Sequence, residues 1–196
     1  MTADEIRNFL RLKEPVHYLA GSGNAREAAV LVPLIEDHGI WHVLFTRRSN
    51  TVNDHKGQVS FPGGAIEPAD ANTVAAALRE AEEEIGIKPS QVQVLGELPP
   101  HESVTGFRIY PVIAKIEWPI VLQINPDEVS RVFTIPLEWL AQKENYEIRE
   151  WRSPFGLREG VIFYKPYDGE QLWGISARIM QDLLITIGLL TSSRTG

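Results

Sequence analysis

Four glutamates and an arginine lie within one short segment, Arg79-Glu80-Ala81-Glu82-Glu83-Glu84. On a helix, Glu80, Glu83 and Glu84 would be three and four positions apart and would project from one face. Like charges at this spacing cost an isolated helix roughly 0.2–0.5 kcal/mol per pair, so a neutralising partner is expected. Mg²⁺ or Mn²⁺ would serve, because hard cations prefer carboxylate oxygens and complete their coordination with water and phosphate. The cluster therefore predicts a metal site suited to diphosphate cleavage.

A helix over Thr73–Ile85 is needed to present these carboxylates, and the surrounding residues predict one. Leu78, Ala81 and Ile85 repeat at helical spacing and form a second, apolar face. The expected helix ends are an N-cap at Asn72 or Thr73, a C-cap at Gly86 and a stop at Pro89.

The rest of the chain mixes strand and helix patterns. An amphipathic helix is predicted over 4–13, and a loop over 20–24 follows it. Strands are predicted at 28–35 and 40–46 (a hairpin), at Val59 and Phe61, and at 92–98, 107–116, 131–135, 146–151 and 161–164. A short helix is predicted to begin at 136–140, and a C-terminal helix is predicted over 175–190. The pattern favours an α/β fold with mixed α+β order, built as one domain over residues 1–196 with a helical extension at 1–25.

Composition excludes several classes of function. The chain has 196 residues, 43% of them hydrophobic, and a net charge of −7, which argues against binding to nucleic acid. It has no cysteine, so disulfides and thiolate zinc sites are excluded. The acidic start does not resemble a signal peptide, and no apolar run reaches the roughly 20 residues of a membrane span. We therefore expect a soluble, cytoplasmic protein without a membrane partner, and a homodimer stays possible.

The segment 79–87 matches the second half of the signature Gx5Ex7REUxEExGU, in which U is aliphatic, and the chain thereby resembles the Nudix hydrolases. The resemblance implies an α/β/α sandwich with a mixed β-sheet, a catalytic loop-helix-loop over 63–87 (the Nudix box), and Mg²⁺ or Mn²⁺ as cofactor. It assigns Glu80 and Glu84 to the metal, Glu83 to the metal or to the base that activates water, and Arg79 to orienting the carboxylates. Glu102 is a rival base.

The first half of the signature departs from the standard spacing. Asp70 stands where the glutamate is expected, and one residue is inserted within 71–73. Asp70 could be a metal ligand, or it could cap the loop or the start of the helix.

The preceding segments, 44–49 and 55–64, are similar to the coenzyme A pyrophosphatase branch of the family, which reads LLTxRSx3Rx3Gx3FPGG. Further similar segments extend the resemblance over roughly 27–190. Asn53 stands where the branch has arginine, while Arg47, Arg48 and Lys56 offer other positive charges, and His55 lies nearby. On an alternating strand only one of the two arginines can face the site, and Arg48 matches the pattern. The residues expected to bind substrate are Arg48, Gly57, Phe61, Gly63 and Gly64.

This branch hydrolyses the small molecule CoA or acyl-CoA to 3′,5′-ADP and 4′-phosphopantetheine or its acyl form. Two alternatives stay open. One is a Nudix diphosphatase for another nucleoside diphosphate derivative, such as NADH or ADP-ribose. The other is a non-catalytic, Nudix-like ligand sensor.

Overall fold

The computed structural model describes residues 1–12, 25–49, 57–153 and 156–191. Within them the chain forms four α-helices: α1 (Ala3–Leu12), α2 (Thr73–Ile85), α3 (Leu137–Ala141) and α4 (Gly174–Thr186). The strands are β1 (Arg26–Asp37), β2 (Ile40–Arg48), β3 (Val59–Ser60), β4 (Gly63–Ala65), β5 (Val92–Glu97), β6 (His101–Glu102), β7 (Phe107–Ile116), β8 (Val129–Pro136), β9 (Tyr146–Ser153) and β10 (Gly156–Tyr164).

An eight-stranded mixed sheet lies at the centre, with the order β3-β2-β1-β7-β5; β4 pairs with β1, β6 with β7, and β8 with β2. Strands β1 and β2 form a hairpin whose turn residues His38 and Gly39 both have positive φ, at 50° and 79°. Such turns match the right-handed twist of the strands they join. Strands β1 and β7 pair in parallel, so the chain between them must cross over the sheet, and this crossover carries α2. Strands β9 and β10 form a separate two-stranded sheet.

Helices cover both faces of the central sheet. Side chains alternate along β1, so that Leu31 and Ile35 pack in the core beneath α2, whereas Val32 and Leu34 pack in a second core. The second core also holds Ile6 of α1 and residues of α3 and α4. The fold is therefore the mixed α/β/α sandwich that the sequence predicts.

Helix α2 has well-formed ends. The Asn72 side chain accepts a hydrogen bond from the Ala75 N–H at 2.9 Å, which makes Asn72, rather than Thr73, the N-cap. Gly86 is the C-cap in the left-handed conformation, and its N–H donates to the Glu82 carbonyl at 2.9 Å. The last carbonyls of α2 are satisfied from residues 117–128, which we call the β7–β8 loop: the Gln123 N–H donates to Ile85 O, and the Asn125 N–H to Glu84 O. This loop is thereby fixed to the end of the helix.

Most predicted elements end within two residues of the observed ends, but strand β10 begins at Gly156 rather than at residue 161, and two further corrections follow. The predicted bounds of α2 and β7 are the observed ones. The helix predicted over 175–190 ends at Thr186, because Gly188 has φ of 77° and the following N–H groups turn back to Leu184 O. The short strands β4 and β6 were not predicted, and the predicted loop at 20–24 lies outside the described residues. No helix in the described part of the chain is both long and apolar enough to cross a membrane.

Replacing Gly86 by alanine should destabilise the fold for two separable reasons. A residue other than glycine in the left-handed conformation costs of order 1–3 kcal/mol. In addition, the new Cβ would lie 2.7 Å from Gln123 Cβ and 2.9 Å from Gln123 N, so the β7–β8 loop would have to move. Gly106 is a matched control, because its φ is 80° and a Cβ added there would meet no atom within 4 Å.

We expect both substitutions to lower the free energy of unfolding in urea titrations, and Gly86→Ala to lower it by about 1 kcal/mol more than Gly106→Ala. Equal losses for the two variants would show that the contact with Gln123 contributes nothing.

Candidate active site

The acidic face of α2 runs from the protein interior to its surface. The Glu84 side chain is 3% exposed, Glu80 14% and Glu83 54%. Behind them Ala81 and Ile85 are fully buried against the sheet. The helix thus presents three carboxylates in one row, as the sequence predicts, but in three different environments.

Arg79 connects these carboxylates to the loop that precedes the helix. Its Nη1 donates to Glu80 Oε1 at 2.9 Å and to Glu83 Oε2 at 3.1 Å. Its Nη2 donates to the Ala65 carbonyl at 3.1 Å, and Nε and Nη2 together hold both oxygens of Asp70, at 3.1 and 3.0 Å. This geometry is what a residue that orients carboxylates requires.

The structure distinguishes between the two roles considered for Asp70. Its carboxylate is 6% exposed, forms a two-pronged pair with Arg79, and accepts a hydrogen bond from the Glu67 N–H at 2.8 Å. The Arg79 hydrogen bond, followed by that of Glu67, lowers the pKa of Asp70 below its ordinary value. Asp70 therefore caps the loop and holds Arg79, and both its oxygens are occupied by those contacts.

The turn Gly63-Gly64 lies against the carboxylates with no room for side chains. A Cβ on Gly64 would lie 2.5 Å from Glu80 Oε1, and one on Gly63 would lie 2.4 Å from the Ala29 carbonyl of β1. Glycine at these two positions lets the backbone of β4 pass directly beside Glu80. This is the close approach of backbone that a phosphate-binding turn needs.

Glu84 is a buried carboxylate with incomplete pairing. Arg48 Nη1 lies 3.7 Å from Glu84 Oε1, and Gly63 contributes a backbone hydrogen bond. Glu84 Oε2 has no hydrogen-bond partner among the described residues. Burial above all, together with the charges of Glu80 and Glu128, raises the pKa of Glu84 to about 8 against the opposing effects of Arg48 and the Gly63 hydrogen bond. Burial also raises the pKa of Glu80, while Arg79 acts in the other direction.

Glu128 is a carboxylate near this site that the sequence analysis did not select. Its charge raises the pKa of both Glu80 and Glu84. Asn125 Nδ2 donates to Glu128 Oε1 at 3.0 Å, while the Asn125 backbone is bonded to Glu84 O, so the β7–β8 loop directs Glu128 to the acidic face. Glu128 lies 44 residues after Glu84 in the chain, and only the tertiary fold brings the two together.

The carboxylates of Glu80, Glu84 and Glu128 fit the requirements of a divalent cation. Glu84 has an unpaired buried oxygen, and the charge of Glu128 raises the pKa of both Glu80 and Glu84. A hard cation relieves both conditions, because it binds carboxylate oxygens and neutralises them. Arg79 holds oxygens of Glu80 and Glu83, and no group of three or more acidic or histidine side chains in the described ranges is already placed to hold a metal ion. The donor set fits Mg²⁺ or Mn²⁺, with water and phosphate left to complete the coordination.

The two arginines at the end of β2 face opposite sides. Arg48 lies beside Glu84, whereas Arg47 Nη1 lies 3.4 Å from Glu170, which is also bound by Arg131. The Arg48 N–H donates to the Gln58 carbonyl, which brings Gly57, with φ of 66°, close to the same end of the strand. Binding of substrate by Arg48 and Gly57 stays a prediction.

The prediction that Phe61 contacts substrate needs correction. Phe61 is 2% exposed and stacks on Phe45 with ring centroids 5.0 Å apart, in the core on the face opposite α2. Its side chain packs the core and offers almost no surface to a ligand. The rival base Glu102 is 59% exposed and paired with Arg108 at 2.7 Å. Asn53, His55 and Lys56 lie outside the described residues.

Comparison with known proteins agrees with this fold. Residues 25–155 match the NUDIX domain family. Proteins named Nudix hydrolase NudL, from Shigella boydii and from Escherichia coli, are 41% identical to this chain over 169 residues, which cover 85% of this chain and 85% of theirs. These relatives are described as uncharacterized.

Two solved structures share the fold at low sequence identity. An Ap4A hydrolase from C. elegans has a TM-score of 0.50 and 22% identity, and covers 57% of this chain and 80% of its own. The Nudix hydrolase RenU from M. Smegmatis has a TM-score of 0.50 and 20% identity, and covers 60% of this chain and 74% of its own.

The chain belongs to the Nudix family. It is accordingly an enzyme, a Nudix hydrolase acting on a nucleoside diphosphate derivative.

The raised pKa of Glu84 predicts how the stability of the metal-free protein depends on pH. Its pKa is about 8 in the folded protein and 4.5 ordinarily. Between these values the unfolded chain has lost the proton that the folded chain retains, so folding stability falls as the pH rises from about 4.5 to about 8. The slope from this single group is at most about 1.4 kcal/mol per pH unit.

Glu84→Gln removes this titration. The free energy of unfolding of Glu84→Gln and of the wild type is measured by urea titration in the presence of a chelator. We expect the difference, variant minus wild type, to increase progressively from pH 5 to pH 8. Glu82→Gln, an exposed position on the same helix, should show no such trend. A constant difference between Glu84→Gln and wild type across this range would contradict the assignment of a raised pKa to Glu84.

Proposed function

We propose that this enzyme hydrolyses the diphosphate bond of CoA or acyl-CoA and releases 3′,5′-ADP and 4′-phosphopantetheine or its acyl form. The observation that carries the chemistry is the row of carboxylates on α2, oriented by Arg79 and lying beside the Gly63-Gly64 turn. The CoA branch is supported by the sequence similarity of 44–64, in which Arg48 is placed beside Glu84.

Glu80 and Glu84 would hold the divalent cation, Mg²⁺ or Mn²⁺, of which Nudix hydrolases generally make use. When bound, such a cation screens the negative charge of the diphosphate and lowers the pKa of a bound water. Arg79 keeps Glu80 and Glu83 oriented, and Asp70 keeps Arg79 in place. Arg48 pairs with Glu84 and lies where it would attract an anionic phosphate.

Glu83 is our candidate for the water-activating base or for a further metal ligand. It is the most exposed of the three carboxylates, and Arg79 is the partner of its Oε2 at 3.1 Å. A carboxylate that is accessible to solvent and held in one orientation can accept a proton from a water beside it. Glu102 is less suited, because its own ion pair with Arg108 engages it at 2.7 Å.

A second candidate function is hydrolysis of another nucleoside diphosphate derivative, such as NADH or ADP-ribose. The observation that favours it is Asn53, which replaces the arginine of the CoA branch. We also propose a cytoplasmic location, on the ground that a chain without cysteine suits a reducing compartment.

One experiment separates these functions. The purified protein is incubated with CoA, acetyl-CoA, NADH or ADP-ribose, each with Mg²⁺ or Mn²⁺, and the products are identified by mass. We expect 3′,5′-ADP and phosphopantetheine from CoA in the presence of either metal, and no turnover in chelator. Preferred cleavage of NADH or ADP-ribose would reject the CoA branch, and no turnover of any diphosphate would reject catalysis.

The role of Glu84 can be tested in the same assay. Glu84→Gln removes the charge of the buried carboxylate and nearly preserves its shape, so we expect kcat to fall by at least about 10²-fold. Glu82→Gln is the matched control, since Glu82 lies on the same helix but is exposed, and it should retain wild-type kcat. Wild-type activity in Glu84→Gln would refute its assignment to the metal.

A further inference from the structure

An open cleft of about 600 Å³ lies along β8, at the edge of the central sheet. Its walls combine apolar and polar groups: the apolar ones include Leu44 of β2, Val132 of β8, and Trp118 and Leu122 of the β7–β8 loop, and the polar ones include Thr134 and Tyr167. Among the described strands β8 pairs with β2 alone, so one edge of its backbone faces the cleft side. A cleft with apolar and polar walls beside a free strand edge suits a ligand that carries both apolar groups and amides.

The cleft adjoins the candidate active site from two directions. Leu44 and Arg48 lie on the same face of β2 four residues apart, which is about 13 Å along a strand, and Arg48 contacts Glu84. Leu122 is followed by Gln123, whose N–H is bonded to the carbonyl of Ile85. The loop that carries Leu122 is therefore bonded to the C-terminal end of α2, next to Glu84.

The charges that line the cleft indicate which half of CoA it can bind. Arg131 is the cation in its lining, and it is already paired with Asp168 and with the buried Glu170. Asp168 also lines the cleft. This lining leaves no net positive charge for the 3′-phosphate of the adenosine half. The pantetheine half is uncharged and contains two amides and a gem-dimethyl group, which suit walls of both polar and apolar groups beside a strand edge.

We infer that the β8 cleft binds the pantetheine arm of the substrate, with the diphosphate at the acidic face of α2. The inference rests on the proposed function and assigns the orientation of CoA in that site. The length of the pantetheine arm agrees with this orientation. The arm has about as many bonds as four residues of a protein chain, which span roughly 14 Å when extended. Leu44 and Arg48 are separated by a similar distance along the strand. The nucleotide half would then lie outside this cleft.

Two substitutions test the assignment by different means. Leu122→Asp places a charge in the apolar wall, and Thr134→Phe fills the cleft without adding charge. Val121→Asp is the matched control, because Val121 is the preceding residue of the same loop, is 87% exposed and does not line the cleft. Circular dichroism and thermal unfolding establish that each variant is folded.

The readout is the Kd of each reaction product, 4′-phosphopantetheine and 3′,5′-ADP, measured by calorimetry with Mg²⁺ present. We expect both cleft variants to raise the Kd of 4′-phosphopantetheine at least about fivefold and to change that of 3′,5′-ADP less than about twofold. Val121→Asp should change neither. Unchanged binding of 4′-phosphopantetheine in Thr134→Phe, or a larger loss for 3′,5′-ADP, would overturn the assignment.

Turnover of CoA by the wild type is measured separately, so that the two proposals fail independently. Absence of CoA hydrolysis would reject the proposed function. Hydrolysis of CoA together with wild-type binding of 4′-phosphopantetheine in the folded cleft variants would reject the cleft alone.

Discussion

The close packing of α2 against the central sheet is the constraint on which the rest of this molecule depends. Small side chains make it possible, because Ala76, Ala77 and Ala81 are fully buried where the helix meets the strands. The Gly63-Gly64 turn lies next to the same helix, so near that a Cβ on Gly64 would overlap the Glu80 carboxylate. Glu84, at the end of the helix nearest the sheet, becomes buried as a direct result. The arrangement that forms the core also forms the acidic site.

This arrangement gives up stability for function. Burying Glu80 and Glu84 side by side raises the pKa of both, so their charged forms destabilise the fold near neutral pH. Opposing contributions come from the arginines: Arg79 binds Glu80, and Arg48 lies 3.7 Å from Glu84. The compensation is partial, as the unpaired Oε2 of Glu84 shows. A divalent cation would complete it, and metal binding would then stabilise the same region that it activates.

The features that were predicted correctly from the sequence are those determined by interactions between residues close together in the chain. The limits of α2 follow from its apolar period, the Asn72 cap and the positive φ at Gly86, all of which lie within or beside the helix. Strand alternation predicted that only one of Arg47 and Arg48 faces the site, and the resemblance to the CoA branch selected Arg48, which the structure places against Glu84. By contrast, Glu128 depends on a loop that the chain reaches 44 residues after Glu84, and spacing along the sequence holds no information about that contact.

Asp70 and Phe61 also show that tertiary contacts cannot be predicted from a sequence motif alone. Asp70 occupies the position of a ligand in the motif, but which group its oxygens meet depends on how Arg79 reaches back across the inserted residue. Phe61 belongs to the motif as well, yet its ring enters the opposite core and stacks on Phe45. A motif therefore identifies the residues of a site more securely than it identifies their contacts.

The β7–β8 loop lies between the acidic site and the β8 cleft. Its N–H groups at Gln123 and Asn125 satisfy the last carbonyls of α2, and the same loop carries both Glu128 and Leu122. One face of the loop thus adds charge to the acidic site while another supplies an apolar wall to the β8 cleft. Because the loop is bonded to the end of α2 through its backbone, a change in its apolar side chains need not displace Glu84. With the pantetheine arm bound in the β8 cleft as proposed, the acidic site would cleave the diphosphate while residues outside the Nudix box would select the organic arm.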